Sequence, residues 1–127
     1  MENKYYTPDI EDFYIGYECE LLYEDWEKSI YSTTHVDFFN IEHLIKLNRV
    51  RTSFLTKEQI EAEGWTFVKE RDAFKKNDGL YKCYMNYFSN SNGSSMTIHD
   101  GHGSTYYDGE CKSVNEFRRI EKWLGIK

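Results

Sequence analysis

The stretch Asp12-Phe13-Tyr14-Ile15-Gly16-Tyr17-Glu18-Cys19-Glu20-Leu21-Leu22-Tyr23-Glu24 decides the fold class. Phe13, Ile15, Tyr17, Cys19 and Leu21 alternate with Tyr14, Gly16, Glu18, Glu20 and Leu22. Side chains of a strand point alternately to its two faces, so this period of two predicts a strand with one buried face. Glu18 and Glu20 fall on the wet face, and Glu24 joins them if the strand runs that far. Residues 26–33 read as a second strand, turned back near Glu24 and Asp25. Two strands with so short a connection make an antiparallel hairpin.

Working outward, residues 40–47 fit a short helix, with Asn40 as cap and Ile41, Leu44 and Ile45 on one face. Residues 50–55 read as a short strand. Thr56-Lys57-Glu58-Gln59 has the Ser/Thr-x-x-Glu/Gln pattern of a capping box, which opens a middle helix of about two turns stopped by Gly64. Residues 65–70 return to strand character.

The second half predicts a meander. Tyr81, Cys83, Met85 and Tyr87 share one face of a strand over residues 80–88. Ser89-Asn90-Ser91-Asn92-Gly93 is turn chemistry, because Asn and Gly tolerate positive φ. Further strands are expected over 95–99 and 104–112, joined by the turn Asp100-Gly101-His102-Gly103. A second capping box, Ser113-Val114-Asn115-Glu116, opens a C-terminal helix. Val114, Phe117, Ile120 and Leu124 share its buried face, Trp123 lies on its edge, and Gly125 stops it.

The expected fold is therefore α+β: a mainly antiparallel sheet, made of an N-terminal hairpin and a C-terminal meander, with a short middle helix and a C-terminal helix. The chain has 127 residues, one proline (Pro8) and no Ser/Gly-rich linker, so residues 1–127 read as a single domain.

Charge and composition narrow the function classes. Residues 1–48 hold eleven acids against three Lys/Arg, a net of −8, while residues 49–127 hold eleven against thirteen, a net of +2. An acidic half repels nucleic acid and anionic lipid and suits a basic protein surface. No apolar run approaches the roughly 20 residues that span a bilayer, and the N-terminus lacks the basic start and apolar stretch of a signal peptide. Cys19, Cys83 and Cys111 are odd in number and far apart. Free thiols in a reducing compartment are expected, hence a cytoplasmic location. Phe, Tyr and Trp make up 22 of the 127 residues, more than one small core hides, so some tyrosines are expected at the surface.

The candidate sites each have a plainer explanation. His99, Asp100, His102 and Asp108 are two His and two Asp within ten residues. They could ligate a divalent metal, yet an Asp-Gly-His-Gly turn needs only backbone permissiveness, so no metal site is expected. Glu18, Glu20 and Glu24 form a carboxylate row that could do acid–base work or simply stay solvated. Cys83 and Cys111 could become nucleophiles only beside a base such as His99 or His102, and buried free Cys is the commoner fate. Arg118, Arg119 and Lys122, with Lys75 and Lys76, form a small basic patch where a nucleotide could stack on Tyr106. No glycine-rich phosphate loop is present, and no catalytic residues and no cofactor are expected.

Three blocks carry a resemblance: Lys4-Tyr5-Tyr6-Thr7-Pro8-Asp9-Ile10-Glu11-Asp12-Phe13 with Gly16-Tyr17-Glu18-Cys19-Glu20; Val50-Arg51-Thr52-Ser53-Phe54-Leu55-Thr56-Lys57-Glu58-Gln59-Ile60-Glu61-Ala62-Glu63-Gly64-Trp65; and Asp108-Gly109-Glu110 with Val114-Asn115-Glu116-Phe117 and Trp123-Leu124-Gly125-Ile126. Together they resemble a family of small uncharacterised proteins from Bacteroidota and the phages and mobile elements that infect them. Ser53-Phe54 stands where that family's pattern has Pro-Tyr. The resemblance implies a non-enzymatic interaction protein that binds a host protein in the host cytoplasm, with counter-defence as one role. Glu18, Glu20 and Glu24 are the expected contact surface. A small-ligand or nucleotide-binding oligomer is the alternative, an enzyme the third. Exposed sheet edges allow a homodimer.

Overall fold

The computed structural model describes residues 4–34, 38–78, 81–90 and 93–126. The fold is α+β, with two antiparallel sheets and three α-helices among the described residues. The chain forms two compact units that divide between Phe54 and Leu55, with no linker between them. No helix among the described residues is long and apolar enough to cross a membrane.

The first unit carries β1 (Tyr5–Tyr6), β2 (Glu18–Leu22), β3 (Trp26–Ile30), α1 (Ile41–Lys46) and β4 (Val50–Ser53). The sheet order is β1-β4-β2-β3, every pair antiparallel. The β2–β3 hairpin has the expected place, with Leu22 opposite Trp26 and Glu18 opposite Ile30. Tyr17, Cys19 and Leu21 are buried as the alternation predicts, and they pack with Phe38, Ile41 and Val50. The Tyr17 hydroxyl meets Thr52 Oγ1 at 3.1 Å, so its polar end is satisfied inside that core.

Two expectations for this unit need correction, and one strand was not expected. β2 begins at Glu18, because the chain turns at Ile15 and Gly16, where Gly16 has φ +100°. Ile15 is consequently 72% exposed, not on the buried face. β2 ends at Leu22, so Glu24 lies in the hairpin connection and is not in register with Glu18 and Glu20. Tyr5 and Tyr6 form a short strand on β4 that two residues of sequence cannot announce.

The second unit carries α2 (Lys57–Ala62), β5 (Thr66–Val68), β6 (Ala73–Asp78), β7 (Tyr81–Asn90), β8 (Gly93–His99), β9 (Thr105–Gly109) and α3 (Val114–Leu124). The five strands are neighbours in chain order, a pure antiparallel meander. The centre of the expected Ser89–Gly93 turn and the expected strand start at Leu80 lie outside the described residues. The core unites Phe74, Cys83, Met85, Met96 and Ile98 of the sheet with Ile60 of α2 and Val114, Phe117 and Ile120 of α3.

Helix α2 has the capping box read from its sequence. Thr56 Oγ1 accepts the Gln59 N–H at 3.1 Å and Gln59 Oε1 accepts the Thr56 N–H at 3.0 Å. The second box does not form. Ser113 makes no side-chain cap bond, and the Glu116 carboxylate reaches one residue further back, to the Lys112 N–H at 2.6 Å. Gly125 ends α3 at φ +71°, and Trp123 is 76% exposed on its edge.

Strand β6 is absent from the sequence reading, since Lys75-Lys76-Asn77-Asp78 looks like a wet loop. Lys76 faces the helices instead. Its ammonium donates to the Glu63 carbonyl, at the C-terminal end of α2, at 2.8 Å and to Glu121 Oε2 of α3 at 3.3 Å. The Trp65 indole N–H donates to the same Glu121 oxygen at 3.2 Å. Arg118 Nε closes the network on Glu63 Oε1 at 2.9 Å. A buried cation is tolerable only with such partners.

Candidate functional site

Cross-strand register fixes where the carboxylate row goes. Glu18 and Glu20 share the β2 face opposite the Cys19 and Leu21 core, beside Lys28 and Ile30 of β3. Glu20 also sits opposite Arg51 of β4. The Arg51 Nη2 donates to Glu20 Oε1 at 2.9 Å and its Nε to the same oxygen at 3.3 Å. Its guanidinium carbon lies 3.7 Å from the Tyr5 ring centroid and 4.2 Å from that of Trp26. The arginine is thus sandwiched between two rings and anchored on a carboxylate, a geometry that a planar guanidinium suits and an ammonium does not. Glu20 is neutralised where it stands, with a side chain only 16% exposed. The three glutamates do not converge: Glu24 lies in the connection, with exposed Asp25 beside it and exposed Glu27 as the second residue of β3.

Sequence reasoning passed over Arg51, Trp26 and Tyr5, whose grouping needs the strand order β1-β4-β2-β3. It also passed over Asp25 and Glu27. Their signal was available: an acid in a hairpin connection and one on an edge strand stay exposed whatever the partner strand does.

The His-Asp group forms a tight structural turn. Gly101 N–H donates to His99 Nδ1 at 3.1 Å, which leaves the ring proton on Nε2, 2.9 Å from Asn86 Oδ1. Both ring nitrogens are engaged, so a metal ion at Nδ1 would have to displace the Gly101 amide. His99 stacks on Tyr84 with centroids 5.9 Å apart, and the Arg71 guanidinium carbon lies 4.3 Å from the Tyr84 ring centroid. Asp100 Oδ1 accepts the N–H of His102 at 2.7 Å and of Ser104 at 3.1 Å. These bonds, the His102 amide first, hold its carboxyl below the ordinary range. Asp108 pairs across the sheet with Thr97, whose hydroxyl donates to it at 3.3 Å. Among the described residues no three His, Cys, Asp or Glu side chains gather as a metal would require.

Cys83 and Cys111 are separated from the His99 imidazole by the pleat. Met96 and Ile98 of β8 face the helices with Cys83 and Cys111, so His99 turns to the opposite face. Burial, with nearby Glu116, Glu110 and Glu121, pushes the Cys111 thiol up. Burial and Glu20 push Cys19 up to about 12. A nucleophile needs the reverse shift.

The basic patch is divided. Lys76 is inside the Glu121 network, Arg118 is paired with Glu63 and Lys75 lies on the opposite sheet face, while Arg119 and Lys122 are exposed on α3. Tyr106 is 43% exposed on β9. Comparison with protein-family models, with curated proteins and with solved structures returned no match to this chain.

Proposed function

We propose that this chain is a non-enzymatic binding protein whose acidic β2–β3 hairpin contacts a basic surface of another protein. The supporting observation is the group of exposed acids Glu24, Asp25 and Glu27 on that hairpin, with Ile30 exposed at the end of the same edge strand. Mixed charge and apolar surface of this kind favours a protein partner over nucleic acid. Members of the three residue sets weighed for chemistry have structural roles: Glu20 with Arg51, His99 with Asn86 and Gly101, and the thiols in the two cores. The resemblance to proteins of Bacteroidota phages and mobile elements makes the partner a host protein.

Capture from a Bacteroidota lysate tests the reading, comparing the protein with its E24K/D25K/E27K variant. The expected result is a partner retained by the first, released by the second and weakened by salt. A partner that stays bound to the charge-reversed protein removes the hairpin from the interface.

A further inference from the structure

The geometry points to the outer edge of β3 as a strand-addition site, where an extended basic segment of the partner pairs as a fifth strand of the first unit's sheet. This inference rests on the protein-binding reading above and states its mode.

Backbone direction carries the argument. The Tyr31 N–H donates to the Tyr17 carbonyl at 2.8 Å, so residues 27, 29 and 31 turn their backbone groups toward β2. On β2 the Leu22 N–H donates to the Arg49 carbonyl at 2.9 Å, which fixes the complementary alternation toward β4. Trp26, Lys28 and Ile30 therefore direct their N–H and C=O groups away from the sheet. β3 is the last strand in the order, and no strand among the described residues pairs with that side. An antiparallel sheet edge of this kind is a ready template for another extended segment.

The charges choose the occupant. A second copy pairing antiparallel about Lys28 would set that ammonium directly opposite its own image, and like charges in register are destabilising. It would also bring two acidic hairpins together, on a chain of net charge −6. A basic segment meets neither obstacle. Its apolar positions would lie beside Trp26, Lys28 and Ile30 on one face, and its basic positions beside Glu27 on the other, with Glu24 and Asp25 at the hairpin end. A peptide alternating valine with arginine has that pattern, whichever way it runs.

The probe is such a synthetic Arg/Val peptide, read by fluorescence titration and by amide hydrogen exchange of the intact protein. Expected are slowed exchange at the Lys28 and Ile30 amides on binding and affinity lowered about tenfold or more in Lys28→Pro, which removes an outward N–H that β2 does not use. Lys28→Ala keeps that N–H and loses a positive charge, so its affinity should equal or exceed that of the parent. No peptide binding, unchanged exchange at both amides, or a correctly melting Lys28→Pro variant that binds like the parent overturns strand addition. So does a self-associated dimer that Lys28→Pro dissociates, which would make the occupant a second copy. If E24K/D25K/E27K releases the lysate partner while edge amides stay unprotected, the acidic-surface reading stands and strand addition alone falls.

Discussion

The Arg51 guanidinium meets the Glu20 carboxylate at 2.9 Å, across the register that pairs β4 with β2. This contact turns one member of an apparent acidic row into a structural anchor that reaches Tyr5 and Trp26 as well. Arg51→Ala should cost about 2 kcal/mol, since it leaves a largely buried carboxylate without its cation. Arg51→Lys should cost about 1 kcal/mol, because the charge survives but the stacking between two rings does not. Urea unfolding measures both, and an Arg51→Lys variant as stable as the parent would deny the rings any part.

The Glu121 carboxyl sits above its ordinary value, raised by burial against the opposing effects of Trp65 and Lys76. A carboxyl with a higher value folded than unfolded holds its proton more tightly in the folded state. Its ionisation therefore costs stability at neutral pH, and the cost is relieved as pH falls through the folded value toward the unfolded value of 4.5. The parent should gain on Glu121→Gln over that window. Stability curves of the two proteins against pH test this, and a parent that loses ground on acidification reverses the sign.

Lys76→Met should be the more damaging change in the same network. It strands the Glu121 carboxylate and leaves the Glu63 carbonyl without its donor, at about 3 kcal/mol. Chemical denaturation should show the loss, with a cost under about 0.5 kcal/mol marking Lys76 as an ordinary surface residue.

Gly101 and Gly103 should respond differently to alanine. Both have positive φ, +84° and +112°, so each substitution carries backbone strain of about 1 kcal/mol. At Gly101 a Cβ would also stand 2.7 Å from Tyr84 Cε2 and 3.1 Å from Arg71 Nη1, whereas at Gly103 nothing lies within 4 Å. Thermal melts should rank Gly101→Ala clearly below Gly103→Ala; matching melts would mean that the ring and guanidinium move aside freely.

All three thiols are buried, and those of Cys19 and Cys111 titrate above their ordinary value. In the folded protein at neutral pH these two should react with a disulfide reagent about a hundredfold or more slowly than a model thiol, and all three should react at once when denatured. One thiol that outpaces the model compound would revive a nucleophile.

How much was legible follows from the range of each interaction. The buried alternation of Tyr17, Cys19 and Leu21, the Thr56–Gln59 capping box, and the apolar face of α3 with its Gly125 stop were all readable. Each is set by neighbours within one turn or one pleat, so the sequence by itself determined them. It also placed the hairpin. Tertiary structure alone decided that Lys76 belongs inside, because its burial depends on Glu63 and Glu121, 13 and 45 residues away. It alone tied Glu20 to Arg51, 31 residues off, and turned His99 away from Cys83 and Cys111. Those outcomes rest on strand order and register, which arise when distant segments bury a common core, and no local pattern encodes which segments will meet.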